Sequence, residues 1–307
     1  MIVTRLMGGL GNQLFQYAVG RHLAEIHGTV LKIDIRGLQE NRPRWYNKFR
    51  LSPYYRSSLW YHDYSLCHFN IRENFATPEE VKKLTRRRFS YRLKNRLAGK
   101  KGVRAPSHIT EKEPFIFDPD ILNLPDNVYL ADYWQNEKYF LAIENIIQEE
   151  FTLKTPQAGK DREIASRMAS CESVSVHVRW GYKVTDKDGF HERCCDTDYY
   201  AKCVQVIGER LKEPHIFVFS DNPEWARKNL ALEYPTTFVS HNGRDLAHED
   251  LRLMSQCKHH IIANSTFSWW GAWLNPNKEK MVFAPSRWVT SNVYATTALI
   301  PAGWHLL

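Results

Sequence analysis

Residues 1–34 read MIVTRLMGGLGNQLFQYAVGRHLAEIHGTVLKID, and this stretch decides the fold class. Met1-Ile2-Val3-Thr4-Arg5-Leu6-Met7 has the composition of a strand, not of a signal peptide, and it runs into the loop Gly8-Gly9-Leu10-Gly11. A helix is expected from near Asn12, with Leu14, Ala18, Leu23 and Ile26 on one face. Gly28 stands where such a helix takes its C-terminal cap. Thr29-Val30-Leu31-Lys32-Ile33-Asp34 then reads as a second strand. Strand, helix and strand in this order form a βαβ unit, which builds a parallel sheet.

Outward from this opening, residues 40–150 are rich in aromatic and basic side chains, with helical stretches near 78–98 and 136–150. Phe151 to Lys160, with Thr155-Pro156 and Ala158-Gly159, has the composition of a linker. A second α/β series follows. Its strands are expected at 174–179, 215–220, 236–240, 259–263 and 280–284, with helices near 197–211, after Asn222-Pro223-Glu224, at 248–257 and at 266–274. The pattern fits an α/β protein of two Rossmann-like domains facing a cleft, 1–155 and 156–307.

The chain has 307 residues, 43% hydrophobic and 25% charged, which excludes a largely disordered protein. Aromatics reach 13%, with ten Trp, enough to fill cores or to offer flat faces to sugar rings or bases. No apolar run approaches the roughly 18 residues that cross a bilayer. The six cysteines form no C-x-x-C pair and read as reduced, mostly buried thiols, with His191, Cys194 and Cys195 too sparse for a metal site. The net charge of +8 is local: residues 82–104 hold eleven Lys and Arg and no acid, and the remainder balances at −3. Leu84, Tyr91, Leu93 and Leu97 interrupt these charges, so the segment reads either as a solvated helix face or as a basic amphipathic helix meeting an anionic membrane. No nucleic-acid motif accompanies it.

Four places carry polar chemistry at strand ends. In the glycine loop, Gly9, Gly11 and Asn12 form either a phosphate-binding turn or a purely structural one. The loop lacks the Lys-Ser/Thr of a Walker sequence, and Leu14 occupies the third glycine position of G-x-G-x-x-G. Strand His177-Val178-Arg179 puts Arg179 at a carboxyl end, where it can grip a diphosphate with two parallel bonds or pair with a carboxylate at the domain interface. Ser220 and Asp221 end the next strand; Asp221 can accept from a base or ribose, while Asp221 or Asn222 suits an N-cap before Pro223. Asn264, Ser265, Thr266 and Phe267 open a helix whose start is a second anion position. Trp269, Trp270 and Trp273 behind them are core or sugar platform.

GGLGNQLFQYA at 8–18, SVHVR at 175–179, FSD at 219–221 and HHIIANSTFSWWGAWL at 259–274 resemble, in order, the motifs of glycosyltransferase family 11 fucosyltransferases. The resemblance implies a GT-B-like fold and metal-independent, inverting transfer of L-fucose from GDP-β-L-fucose to the 2-hydroxyl of a galactose-terminated glycan, with no cofactor. It implies catalytic roles for Arg179 on the diphosphate and Asn12 beside the donor. Donor binding falls to Gly9, Gly11, His177 and Asn264, to Ser265, Thr266 and Phe267 at the phosphate and fucose end, and to Ser220 and Asp221 nearer the nucleoside. The family's H-x-R-R-x-D signature is altered: Trp180 stands in place of the second arginine and Tyr182 in place of the aspartate. Asp186, Asp188 and His191 are the base candidates that follow it. Surface polysaccharide assembly at the cytoplasmic membrane face is the setting expected. The alternative from a different class is a non-catalytic module that binds anionic surfaces or nucleic acid through residues 82–104.

Overall fold

The computed structural model describes residues 1–39, 63–85, 107–180, 194–289 and 296–307. Two compact units divide the chain between Thr152 and Leu153.

In the first unit, β1 (Ile2–Arg5), β2 (Leu31–Asp34), β3 (His108–Ile109) and β4 (Val128–Leu130) form an all-parallel sheet in the order β2-β1-β4-β3. Ile2, Val3 and Thr4 are fully buried, as a central parallel strand requires. Helix α1 (Leu10–Ile26) begins two residues earlier than expected, because Gly9 takes the N-cap position and lets the first turn close. Gly28 (φ +56°) ends it in the left-handed conformation. Fourteen of the helix's seventeen residues are buried, so a single apolar face understates its packing. The polar residues on its other faces are covered by later segments. The Gln13 side-chain amide donates to the carbonyls of Gly8 and Asp63 and accepts from the amide of Ser65, each at 2.9 Å. Tyr17 and Arg21 both donate to Glu150, at 2.6 and 2.9 Å.

Residues 78–85 are helical, with Val81 and Leu84 packed on Val3 and Tyr129. Leu84 is thus a core residue and not part of a membrane-facing stripe; Tyr91, Leu93 and Leu97 lie outside the described residues. The helix expected over 136–150 is three pieces: short 3₁₀ turns at Glu137–Tyr139 and Leu141–Ile143, then α2 (Glu144–Glu150).

The second unit contains β5 (Glu172–Val178), β6 (Pro214–Ser220), β7 (Thr236–Val239), β8 (His259–Ile261), β9 (Val282–Ala284) and β10 (His305–Leu306). They pair in parallel in the order β10-β9-β8-β5-β6-β7. Helix α3 (Gly159–Ala169) leads into β5, and α4 (Thr197–Gly208), α5 (Pro223–Asn229), α6 (Ala247–Gln256) and α7 (Thr266–Trp273) connect β5 through β9. Alternation along β6 separates two cores. Ile216 and Val218 pack with Tyr200, Cys203 and Ala226, whereas Phe217 and Phe219 pack with Ile164, Met168 and Leu253. Helices therefore cover both faces of the sheet.

The sheet of the second unit reverses its direction of winding once. In the second unit the chain goes from β5 outward through β6 to β7, then returns to place β8, β9 and β10 on the other side of β5. The switch lies between β5 and β8. In the first unit the chain steps from β1 to β2, crosses to β3 at the far edge and returns inward to β4, which leaves the carboxyl ends of β1 and β4 side by side. Open α/β sheets bind ligands beyond the carboxyl ends of strands at such points.

Candidate active site

In the second unit, Arg179 is the first residue beyond β5. Val178 is in register with Ser220 and Val176 with Ile261, so Arg179 stands level with Asp221 on one side and Asn264 on the other. Eight of the residues selected from sequence, His177, Arg179, Ser220, Asp221, Asn264, Ser265, Thr266 and Phe267, are thereby gathered on one edge. Gly9, Gly11 and Asn12 occupy the corresponding edge of the first unit, beyond β1.

The turn after β6 resolves which residue caps. Asn222 accepts from the Trp225 amide at 3.0 Å and Pro223 takes the first helical position, so Asn222 is the N-cap of α5. Ser220 accepts from the Asn222 amide at 3.0 Å, which tightens the turn. Asp221 has no capping duty and remains exposed, with Oδ1 accepting the Trp180 amide at 2.7 Å. Trp180 itself stacks on Trp225, ring centroids 3.3 Å apart and 10° from parallel. Trp180, at the position of the family's second arginine, therefore ties the end of β5 to α5.

At the start of α7, the Trp269 amide donates to the Ser265 carbonyl as the helix's opening bond. Ser265 makes no side-chain cap, and no acidic residue occupies the first turn. That is the electrostatic condition under which a helix start favours an anion. Asn264 donates to the Trp288 carbonyl at 3.1 Å, which fastens the turn to the segment after β9. Trp269, Trp270 and Trp273 are buried against one another, so they are core and not a sugar platform.

His177 is buried at the end of β5, with its ring 5.5 Å from that of Phe267. Burial, reinforced by the Arg179 charge, pushes its pKa down to about 3, so the imidazole is neutral and packs the strand end. Below the ordinary value of 6.5 the unfolded chain takes up a proton at this position that the folded protein refuses. Stability conferred here is complete above 6.5 and is lost as pH falls from 6.5 towards 3. His177→Phe removes that part of the acid sensitivity. Urea denaturation at neutral and mildly acidic pH checks this, and an unchanged difference between the two refutes it.

Two histidines in the 259–274 motif escaped functional reading and are structural. The Asn275 side-chain amide donates to His260 Nε2 at 2.7 Å, so His260 Nδ1 carries the proton and donates to Ser175 Oγ at 2.8 Å. His259 Nδ1 accepts the Met281 amide at 3.0 Å. Both sit on the first residues of β8, opposite the polar edge. All six cysteines are free thiols: Cys195, Cys203 and Cys257 are buried, Cys171 and Cys194 half-buried, and Cys67 exposed. His191, grouped with Cys194 and Cys195 in the sequence, lies outside the described residues, as do Tyr182, Asp186 and Asp188.

In the first unit, Gly8 (φ +75°) turns the chain out of β1, and a side chain there would collide with Asn12. Asn12 Oδ1 accepts from Gln135 at 3.0 Å, which joins the exits of β1 and β4. Neither Gln135 nor the acidic pair near it, Glu111 and Asp132, was selected from the sequence. A polar run closing a short strand at 128–130 was the available signal.

Two parallel-sheet α/β units, each with polar residues beyond the carboxyl ends of its central strands, have the composition of a GT-B-like glycosyltransferase. The chain belongs to glycosyl transferase family 11, whose model matches residues 117–307. It is 30% identical to an alpha-1,2-colitosyltransferase of Escherichia coli over 94% of this chain and 92% of that protein. It is 28% identical to the O-antigen biosynthesis glycosyltransferase WbnK of Escherichia coli, over 94% of both. Among solved structures it aligns with an Arabidopsis thaliana FUT1 mutant in complex with GDP, at 15% identity and TM-score 0.49, covering 94% of this chain and 71% of that one.

Proposed function

We propose that this glycosyltransferase moves L-fucose from GDP-β-L-fucose to the 2-hydroxyl of a terminal galactose, with inversion and without a metal or other cofactor, in the assembly of a surface polysaccharide. The observation that carries the proposal is Arg179 at the β5/β8 switch, level with Asp221 and with the start of α7. Breaking the fucosyl–phosphate bond leaves positive charge on the sugar ring and an electron pair on the departing GDP. A guanidinium and helix-start amides fixed at that edge stabilise the departing charge without reorganising, an effect worth several kcal/mol in total. The acceptor oxygen attacks the opposite face of the sugar carbon, and its proton passes to water or to a base among Asp186, Asp188 and His191.

The assay is GDP release from GDP-fucose with a panel of galactosides, in the presence and absence of EDTA. Acceptor-dependent release that is insensitive to EDTA supports the reading; no release with any galactoside refutes it. A second reading is favoured by the relative named for colitose: the donor sugar is colitose. Nucleotide-activated colitose in the same assay separates the two. We also place the reaction at the cytoplasmic face of a membrane, with the 82–104 basic segment meeting anionic lipid; most of that segment lies outside the described residues.

A further inference from the structure

We propose that Glu111 is a positioning residue for the glycine loop, holding Asn12 in place through the turn that follows β4. The inference rests on the glycosyltransferase reading above only in giving Asn12 a donor to face.

The chain leaves β1 into Gly8–Asn12 and leaves the neighbouring β4 into residues 131–136, and the Gln135–Asn12 bond joins these two exits at 3.0 Å. Gln135 is presented by a strained residue. Trp134 has φ +57°, a left-handed conformation that a residue with a Cβ rarely adopts. Such strain persists only where the surroundings over-determine it. Trp134 is fully buried, lies edge-on to Tyr139 with centroids 5.8 Å apart, and its carbonyl accepts the Asn136 amide at 2.8 Å.

Glu111, just beyond β3, supplies the rest. Its carboxylate Oε2 accepts the Tyr133 amide at 3.2 Å, the Trp134 amide also faces the carboxyl group, and its own amide donates to Asp132 Oδ2 at 2.9 Å. The two loops are thus clasped in both directions, one residue before Gln135. A neutral side chain could brace a turn at less cost, because this carboxylate sits beside Asp132 with Oε1 shut away from solvent and without a hydrogen-bond partner. Burial, with a smaller contribution from Asp132, pushes Glu111 up to about 7. Asp132, from the turn after β4, and Tyr139, from the turn at 137–139, are the titratable groups that face it. Ionised, Glu111 makes charge-assisted bonds to the turn; protonated, it holds the same amides more weakly. The placement of Asn12 is therefore firm above pH 7 and loosens as pH falls through that value.

Glu111→Gln, Gln135→Leu and the double variant test this in the whole protein by two measurements. Hydrogen exchange of the peptide covering residues 8–16 needs no turnover: each single variant is expected to speed it about tenfold, and the double variant no further, because both act on one relay. Equal exchange in wild type and Glu111→Gln, or additive effects in the double variant, overturns the proposal. The second measurement is kcat/KM against pH with GDP-fucose and a galactoside. Wild type should lose activity as pH falls through about 7. Glu111→Gln should lack that limb, with kcat/KM about tenfold lower on the plateau. An unchanged limb in the variant also overturns it. If wild type turns over no sugar nucleotide, the proposed function fails while the exchange measurement still decides the positioning role.

Discussion

Arg179→Ala lowers sugar transfer by about a hundredfold to a thousandfold while the protein stays folded, with a melting temperature within roughly 2 °C of wild type. The expectation comes from where the residue stands. Arg179 follows β5 directly, is half-buried, and takes its position from strand register, so the backbone that holds it does not depend on its side chain. What the substitution removes is a charge at the one edge where Asp221 and the α7 start converge. Arg179→Lys restores the charge but not the two-pronged geometry, and should recover only part of the rate. Steady-state GDP release by the three proteins, with thermal unfolding alongside, makes the comparison. An alanine variant with full activity would remove Arg179 from the mechanism. A variant that is inactive because it unfolds would make it a structural residue instead.

Trp269→Ala is expected to cost about 3–5 kcal/mol, and to lower the melting temperature by roughly 10 °C. Trp269 is fully buried, stacks near-parallel on Trp273 at 6.2 Å, meets Trp270 edge-on at 5.0 Å and touches Trp304 at 5.6 Å. Its indole N–H donates to the Leu299 carbonyl at 3.0 Å, so truncation leaves both a cavity and an orphaned acceptor. Trp269→Phe keeps most of the ring and loses the bond, for about 1–2 kcal/mol. Chemical denaturation of the three proteins measures both steps. A loss below about 1 kcal/mol for the alanine variant would show that the site is not close-packed.

Local periodicity made much of the fold legible. The opening βαβ, its Gly28 cap and β5 to β9 lie close to their expected places, because apolar runs of four or more or a glycine stop mark most of them and the flanking helices bracket the three-residue β8 and β9. Two-residue strands such as β3 and β10 have no period to read. The same limit hid the buried side of α1. Gln13, Tyr17 and Arg21 look like solvent-facing positions until Ser65 and Glu150 arrive from far along the chain. The polar edge of the second unit was legible because strand ends followed by Arg, Asp or Asn-Ser-Thr advertise themselves. Which residue caps was not, since Asp221 and Asn222 are chemically alike and only geometry separates them. Glu111 was illegible for a different reason: its partners are peptide amides, which leave no mark in a sequence.

The strand order of the first unit has a consequence for how the protein is made. Ile2 pairs with Val128, and the Tyr17 and Arg21 side chains wait for Glu150. At about 5–20 residues per second, a ribosome needs roughly 6–25 s to deliver β4 after β1. For that interval β1 is paired on one edge only, and the polar side of α1 lacks the partners that bury it. The second unit's central strand waits less: Val174 of β5 pairs with His259 of β8, a delay of roughly 4–17 s at the same rate. The unit synthesised first is therefore the slower to close, and the protein's exposure to misfolding during translation is concentrated in its amino-terminal half.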